Sequence, residues 1–113
     1  MMATTFFYIA VSCILLHEMD AIRCKEWRIF PLTYFLSDKV GYPVFLLAHL
    51  PLYYFVLKSL NDTSIQYGLN IFFIIHLGLH ILFLKHPKNE FKDILSWLPI
   101  AGAAIFGGLG LLV

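Results

Sequence analysis

Charge is scarce in this sequence. Asp, Glu, Lys and Arg make up 13% of its 113 residues, about half the share found in soluble domains. That scarcity, with 60% hydrophobic residues, excludes an ordinary water-soluble globule. A net charge of +1 leaves no basic footprint for nucleic acid. Thiols are equally few. Cys13 and Cys24 lie on or near one helical run, about 16 Å apart at helical rise, too far for a disulfide. Soft thiolate ligation of a metal is therefore not supported. No basic residue precedes the first apolar run, which leads into His17-Glu18-Met19-Asp20 instead of a small-residue cleavage site. The run reads as a retained membrane helix, not as a signal peptide. There is no internal repeat and no Ser- or Gly-rich linker, so residues 1–113 are expected to form a single four-span membrane domain.

What is present is four long apolar runs and a set of histidines. The runs predict an all-α, polytopic membrane protein, four transmembrane helices in an antiparallel bundle. Their expected bounds are 5–22 (extending toward 27), 43–60, 65–84 and 94–113. Pro43 suits a first helical turn, and Pro51 should disturb the helix near Leu47. Asn61-Asp62-Thr63-Ser64 reads as a turn that caps the third helix. Trp27 and Phe30 fit an interfacial belt. Ala103/Gly107 and Ala104/Gly108 are small residues four apart, which permit close helix approach and an oligomer through helix four.

Orientation follows from the basic residues. Seven of the eight Lys and Arg fall at the first and third links. The positive-inside rule places those links in the cytoplasm and both termini in the periplasm of a bacterial inner membrane. On that topology His17, His49, His76 and His80 all lie roughly 6–13 Å from the cytoplasmic boundary. His76 and His80, spaced i, i+4, share one helix face, a spacing that lets two ring nitrogens grip one metal ion. Imidazoles in lipid are costly without partners.

The expected metal ligands are His17, His49, His76 and His80, with Asp20. Asp20 also reads as an orienter of His17 or as half of an ion pair with Arg23. Glu18 has no basic residue three or four positions later, and is the candidate general base or a ligand. Glu26 reads as a solvated charge and His86 as interfacial. A His-rich site with a carboxylate suits zinc or non-haem iron as the divalent cofactor. Haem fits less well, because an i, i+4 pair faces one side only.

The segments Leu16-His17-Glu18-Met19-Asp20-Ala21-Ile22, Glu26-Trp27-Arg28, Ala48-His49-Leu50-Pro51-Leu52, His76-Leu77-Gly78-Leu79-His80 and His86-Pro87 together resemble DUF6713. This is a family of small four-helix bacterial membrane proteins of unknown function. The chain is also similar in style to the HXXEE membrane proteins. The resemblance implies four spans and a bacterial origin, and supplies no activity. From the residues alone, the expected function is a membrane-embedded metalloprotein, a hydrolase or oxidoreductase acting on a lipid-soluble substrate near the cytoplasmic leaflet. Alternatives are a proton or ion transport module, and a metal-free structural or interaction protein. Membrane lipid is the expected surrounding partner.

Overall fold

The computed structural model describes residues 2–113. Four α-helices account for most of them: α1 (Met2–Arg23), α2 (Asp38–Lys58), α3 (Thr63–Leu82) and α4 (Ile94–Leu112). A single 3₁₀ turn, Glu26–Arg28, lies between α1 and α2. There is no strand among the described residues. All four helices are long and apolar enough to cross a membrane. Their outer faces carry large apolar side chains, among them Met19, Leu50 and Leu57. Such a surface suits lipid and is costly against water.

Local chemistry sets the helix starts. The Asp62 carboxylate accepts the Ile65 N–H at 3.2 Å and so caps α3. Asp93 accepts the Ser96 N–H at 2.9 Å and caps α4. That backbone bond holds the Asp93 carboxyl below its ordinary range. Each cap satisfies a donor that the helix itself leaves free. Two expectations are corrected here. α2 begins at Asp38, more than a turn before Pro43, so Pro43 lies inside the helix and not in its first turn. α1 stops at Arg23 and does not run on to Trp27. Lys25 then adopts a left-handed conformation (φ 52°, ψ 55°), which reverses the chain.

α4 lies against both α1 and α3. Its small residues make that possible: Ala103, Ala104 and Gly107 are all buried within the chain. A Cβ at Gly107 would meet the Asn70 carbonyl oxygen at 3.2 Å and Phe73 at 3.4 Å. We expect Gly107→Leu to lower stability by about 1–3 kcal/mol, the size of an overpacking penalty, and Leu111→Ala to have a smaller effect. Thermal unfolding in lipid nanodiscs measures this, and equal melting temperatures for the two variants would contradict the packing.

α2 is held differently. It packs chiefly against the 3₁₀ turn. Trp27, expected at the interface, is instead only 3% exposed and serves as the anchor. Its ring packs on Tyr42 and Phe45, and its Nε1–H donates to Asp38 at 2.9 Å. Arg28 pairs with the same Asp38 carboxylate, which raises the guanidinium further above its ordinary range. Gly41 is required at this contact, since a Cβ there would lie 2.6 Å from Trp27 Cδ1. Away from the anchor, α2 stands off from α1 and α3, and a cavity of about 430 Å³ lies between them.

Candidate metal centre

Four side chains from three segments converge beneath the anchor. His17 comes from α1, Glu26 from the 3₁₀ turn, and His76 and His80 from successive turns of α3. One ligand atom from each lies within 4.8 Å of all the others. His17 is fully buried, and His76 and His80 are 8% and 6% exposed. The three imidazoles form a triangle, with ring centroids 4.6–5.0 Å apart and planes crossing at 71–86°. A tetrahedral zinc with bonds of about 2.0–2.1 Å spaces its donors roughly 3.4 Å apart. The four side chains therefore need to draw inward by about an ångström, within the reach of small torsional changes.

The polar atoms of this group are unsatisfied. His17 Nδ1 and Nε2, His76 Nδ1 and Glu26 Oε2 are buried without a hydrogen-bond partner. His17 Nε2 and Glu26 Oε2 are only 3.1 Å apart, yet the ring N–H direction does not point at the oxygen. His80 Nε2 lies 3.9 Å from the same oxygen. Each unpaired buried polar group costs on the order of 1–3 kcal/mol, and a buried carboxylate costs more. A cation at the centre of the four can remove one such cost from each side chain, and leaves the second His17 nitrogen unpaired.

The surroundings enforce the arrangement. Phe91 is fully buried and covers the group from the third link, its ring 5.4 Å from His17 and 4.7 Å from His80. The Phe91 carbonyl accepts the Trp97 Nε1–H at 2.6 Å, and its N–H donates to Asn89 at 3.1 Å. The strained Lys25 delivers Glu26. A left-handed non-glycine residue costs about 1–2 kcal/mol, and here it turns the following residue back toward His17.

The expected site residues divide into groups. His17, His76 and His80 come together. Glu26, read from sequence as a solvated charge, joins them with a side chain only 15% exposed. His49 stands apart from this group and binds Glu18. Its Nδ1 faces the Phe45 carbonyl at 2.6 Å, so both ring nitrogens are engaged. Asp20 also stands apart. It pairs with Arg23 Nε at 2.8 Å and takes the Cys24 thiol at 3.6 Å. Arg23 in turn bonds Ser96 at 2.9 Å. Of the three readings of Asp20, the ion pair is the one the structure places. Burial pushes the Cys24 thiol up to about 11, and the thiol faces Asp20, the Glu90 carbonyl and Ser96, outside the histidine group. His86 lies outside the group and accepts the Lys88 N–H at 3.1 Å.

A family model described as a family of unknown function, DUF6713, matches residues 3–113. The chain belongs to DUF6713. No match was found among curated proteins or among solved structures. In this DUF6713 member the His/Glu group can hold a metal ion, and its orientation relative to the cavity is informative. Glu26, His76 and His80 line the cavity together with Glu18 and His49, whereas His17 lies behind them. The open side of the group thus faces the cavity, and Phe91 closes the opposite side.

Proposed function

We propose that this DUF6713 chain is a membrane-embedded metalloprotein, an enzyme that acts on a lipid-soluble substrate near the cytoplasmic side. One observation carries the reading: three imidazoles and a carboxylate converge while four of their buried atoms have no hydrogen-bond partner. Their gathering at one point, four of the five found among the described residues, is what calls for an explanation. The donor set of nitrogen and oxygen, with no thiol in it, favours zinc or non-haem iron. Three rings packed into one triangle leave no gap between them for a porphyrin. The four apolar helices and the basic first and third links support an antiparallel bundle in a bacterial inner membrane, both termini periplasmic.

A metal held there supplies a Lewis acid and a water of lowered pKa at neutral pH. His17, His76, His80 and Glu26 hold it. Phe91 keeps bulk water away from the link side. Glu18, backed by His49, stands on the cavity wall as the group that takes a proton from the reacting molecule. The apolar remainder of the cavity receives the substrate from the bilayer.

Elemental analysis is the direct test. Protein purified in mild detergent without a histidine tag is expected to carry one zinc or iron per chain, read by metal mass spectrometry beside amino-acid analysis. Sub-stoichiometric metal that stays unchanged after reconstitution with zinc or ferrous iron would leave the histidines as a structural network and end the enzyme reading.

A further inference from the structure

We infer that Asp38, the first residue of α2, is a positioning residue for the metal ligand Glu26, acting through Trp27 and Arg28. This rests on the metal reading above and names a residue outside the ligand group that sets the affinity of that same site.

Glu26 has little of its own to hold it. It opens a single 3₁₀ turn of three residues, and Lys25 before it gives that turn no side-chain cap. The left-handed backbone at Lys25 is strained for any residue with a Cβ. Two backbone bonds close the turn, from the Arg28 N–H to the Lys25 carbonyl and from the Ile29 N–H to the Glu26 carbonyl, both at 3.0 Å. The buried Glu26 Oε2 has no hydrogen-bond partner. The place of that oxygen is therefore set by the backbone of the turn, and the turn by what grips it from outside.

The outside grip falls on the next two residues. Trp27 is buried, its carbonyl accepts the Thr33 hydroxyl at 2.8 Å, and its Nε1–H donates to Asp38 Oδ1 at 2.9 Å. Arg28 Nε donates to the same oxygen at 3.0 Å, and Arg28 Nη2 pairs with Asp38 Oδ2. One carboxylate thus fixes both side chains that follow Glu26. Its contact with Arg28 is two-pronged, which adds direction to attraction. Among the described residues, the hydrogen bonds to the Asp38 carboxylate all come from this turn. The cap position of α2 belongs to Ser37. The Asp38 side chain therefore serves the turn and not its own helix.

Arg28 has a second partner, and magnitudes rank the two. Its Nη1 lies 3.5 Å from Glu90 Oε2, with the two side chains 30% and 44% exposed. A single exposed pair of that kind contributes little. The forked bond to Asp38, with a buried indole on the same carboxylate, is the stronger grip.

The test is a double-mutant cycle on the full chain in phospholipid nanodiscs. Cobalt(II) is the probe, and competition against a chelator gives its affinity. Asp38→Asn is expected to bind cobalt about 10–100-fold more weakly, the range for a partner that orients a ligand. In a Glu26→Gln background the same change should cost no more than about twofold, because the side chain it positions is already lost as a ligand. The visible absorption of bound cobalt in Asp38→Asn should shift toward that of Glu26→Gln. Trp27→Phe keeps the ring and removes one hydrogen bond, so its affinity should fall between the parent and Asp38→Asn. Glu90→Gln should cost at most about fivefold, the scale of an exposed ion pair. Asp62→Ala removes the cap at the end of α3 far from His80, and should lower the melting temperature without changing cobalt affinity.

Parent affinity in Asp38→Asn would overturn this inference and leave the metal reading standing. An equal loss with and without Glu26 would make the role of Asp38 one of general stability and overturn it as well. So would an Asp62→Ala protein that loses cobalt as Asp38→Asn does, or a larger loss in Glu90→Gln than in Asp38→Asn. A parent chain that binds neither cobalt nor zinc would overturn both readings.

Discussion

His17→Ala, His76→Ala, His80→Ala and Glu26→Ala are each expected to lose most of the bound metal. The donors come from three segments, so no single helix can compensate for a missing one. The His76–His80 pair supplies two bonds from one rigid element. His17 is fully buried, and its removal leaves a cavity as well as a missing ligand. Each loss should exceed about 100-fold in affinity, the upper end of what removing an outer partner costs. His49→Ala and Asp20→Asn are expected to stay within that outer-partner range, because His49 binds Glu18 and Asp20 binds Arg23. His86→Ala should bind as the parent does. Competition against a chelator of known affinity gives the constants, and circular dichroism verifies that each variant is folded. If His49→Ala loses metal as fully as His76→Ala, the ligand set is not the one drawn here.

The four long apolar helices were legible because long apolar runs are a strong signal. The cap at Asp62 and the small face of α4 were legible for similar reasons: each is a local pattern with one dominant physical use. The i, i+4 pair on α3 was also local. His17 was reached by matching depths across helices, a coarser argument that still placed it correctly beside the pair. His49 was expected in the same slab, but depth alone does not say which way a side chain points around its helix axis. Glu26 was missed for a specific reason. It sits between Lys25 and Trp27 near Arg23 and Arg28, a setting that reads as a solvated loop. What brings it inward is the left-handed backbone at Lys25. No glycine or asparagine at that position advertises such a turn. The sequence signal that could have found it is the Trp27-to-Asp38 bond, and that pairing becomes visible only once α2 is known to start at Asp38.

The Glu18→Gln variant is expected to keep its metal and lose its chemistry. Glu18 is adjacent to His17 in sequence but lies outside the ligand group, on the cavity wall with His49. A glutamine occupies the same volume and can still hydrogen-bond His49, so the helix packing and the metal should be preserved. It cannot accept a proton, and losing a positioned base lowers rates by about 10²–10⁴-fold. The assay is nitrophenol release from a long-chain nitrophenyl ester by zinc-loaded protein in nanodiscs, with metal stoichiometry measured on the same samples. His49→Gln should fall between the parent and Glu18→Gln, because it leaves the carboxylate in place and removes only its partner. Glu26→Ala should lose rate and metal together. That contrast between two glutamates on one cavity is the informative result, since a merely structural role for Glu18 would not separate the two readouts. A Glu18→Gln protein that sheds its zinc would make Glu18 a ligand, and one that retains both zinc and the parent rate would remove it from the chemistry altogether.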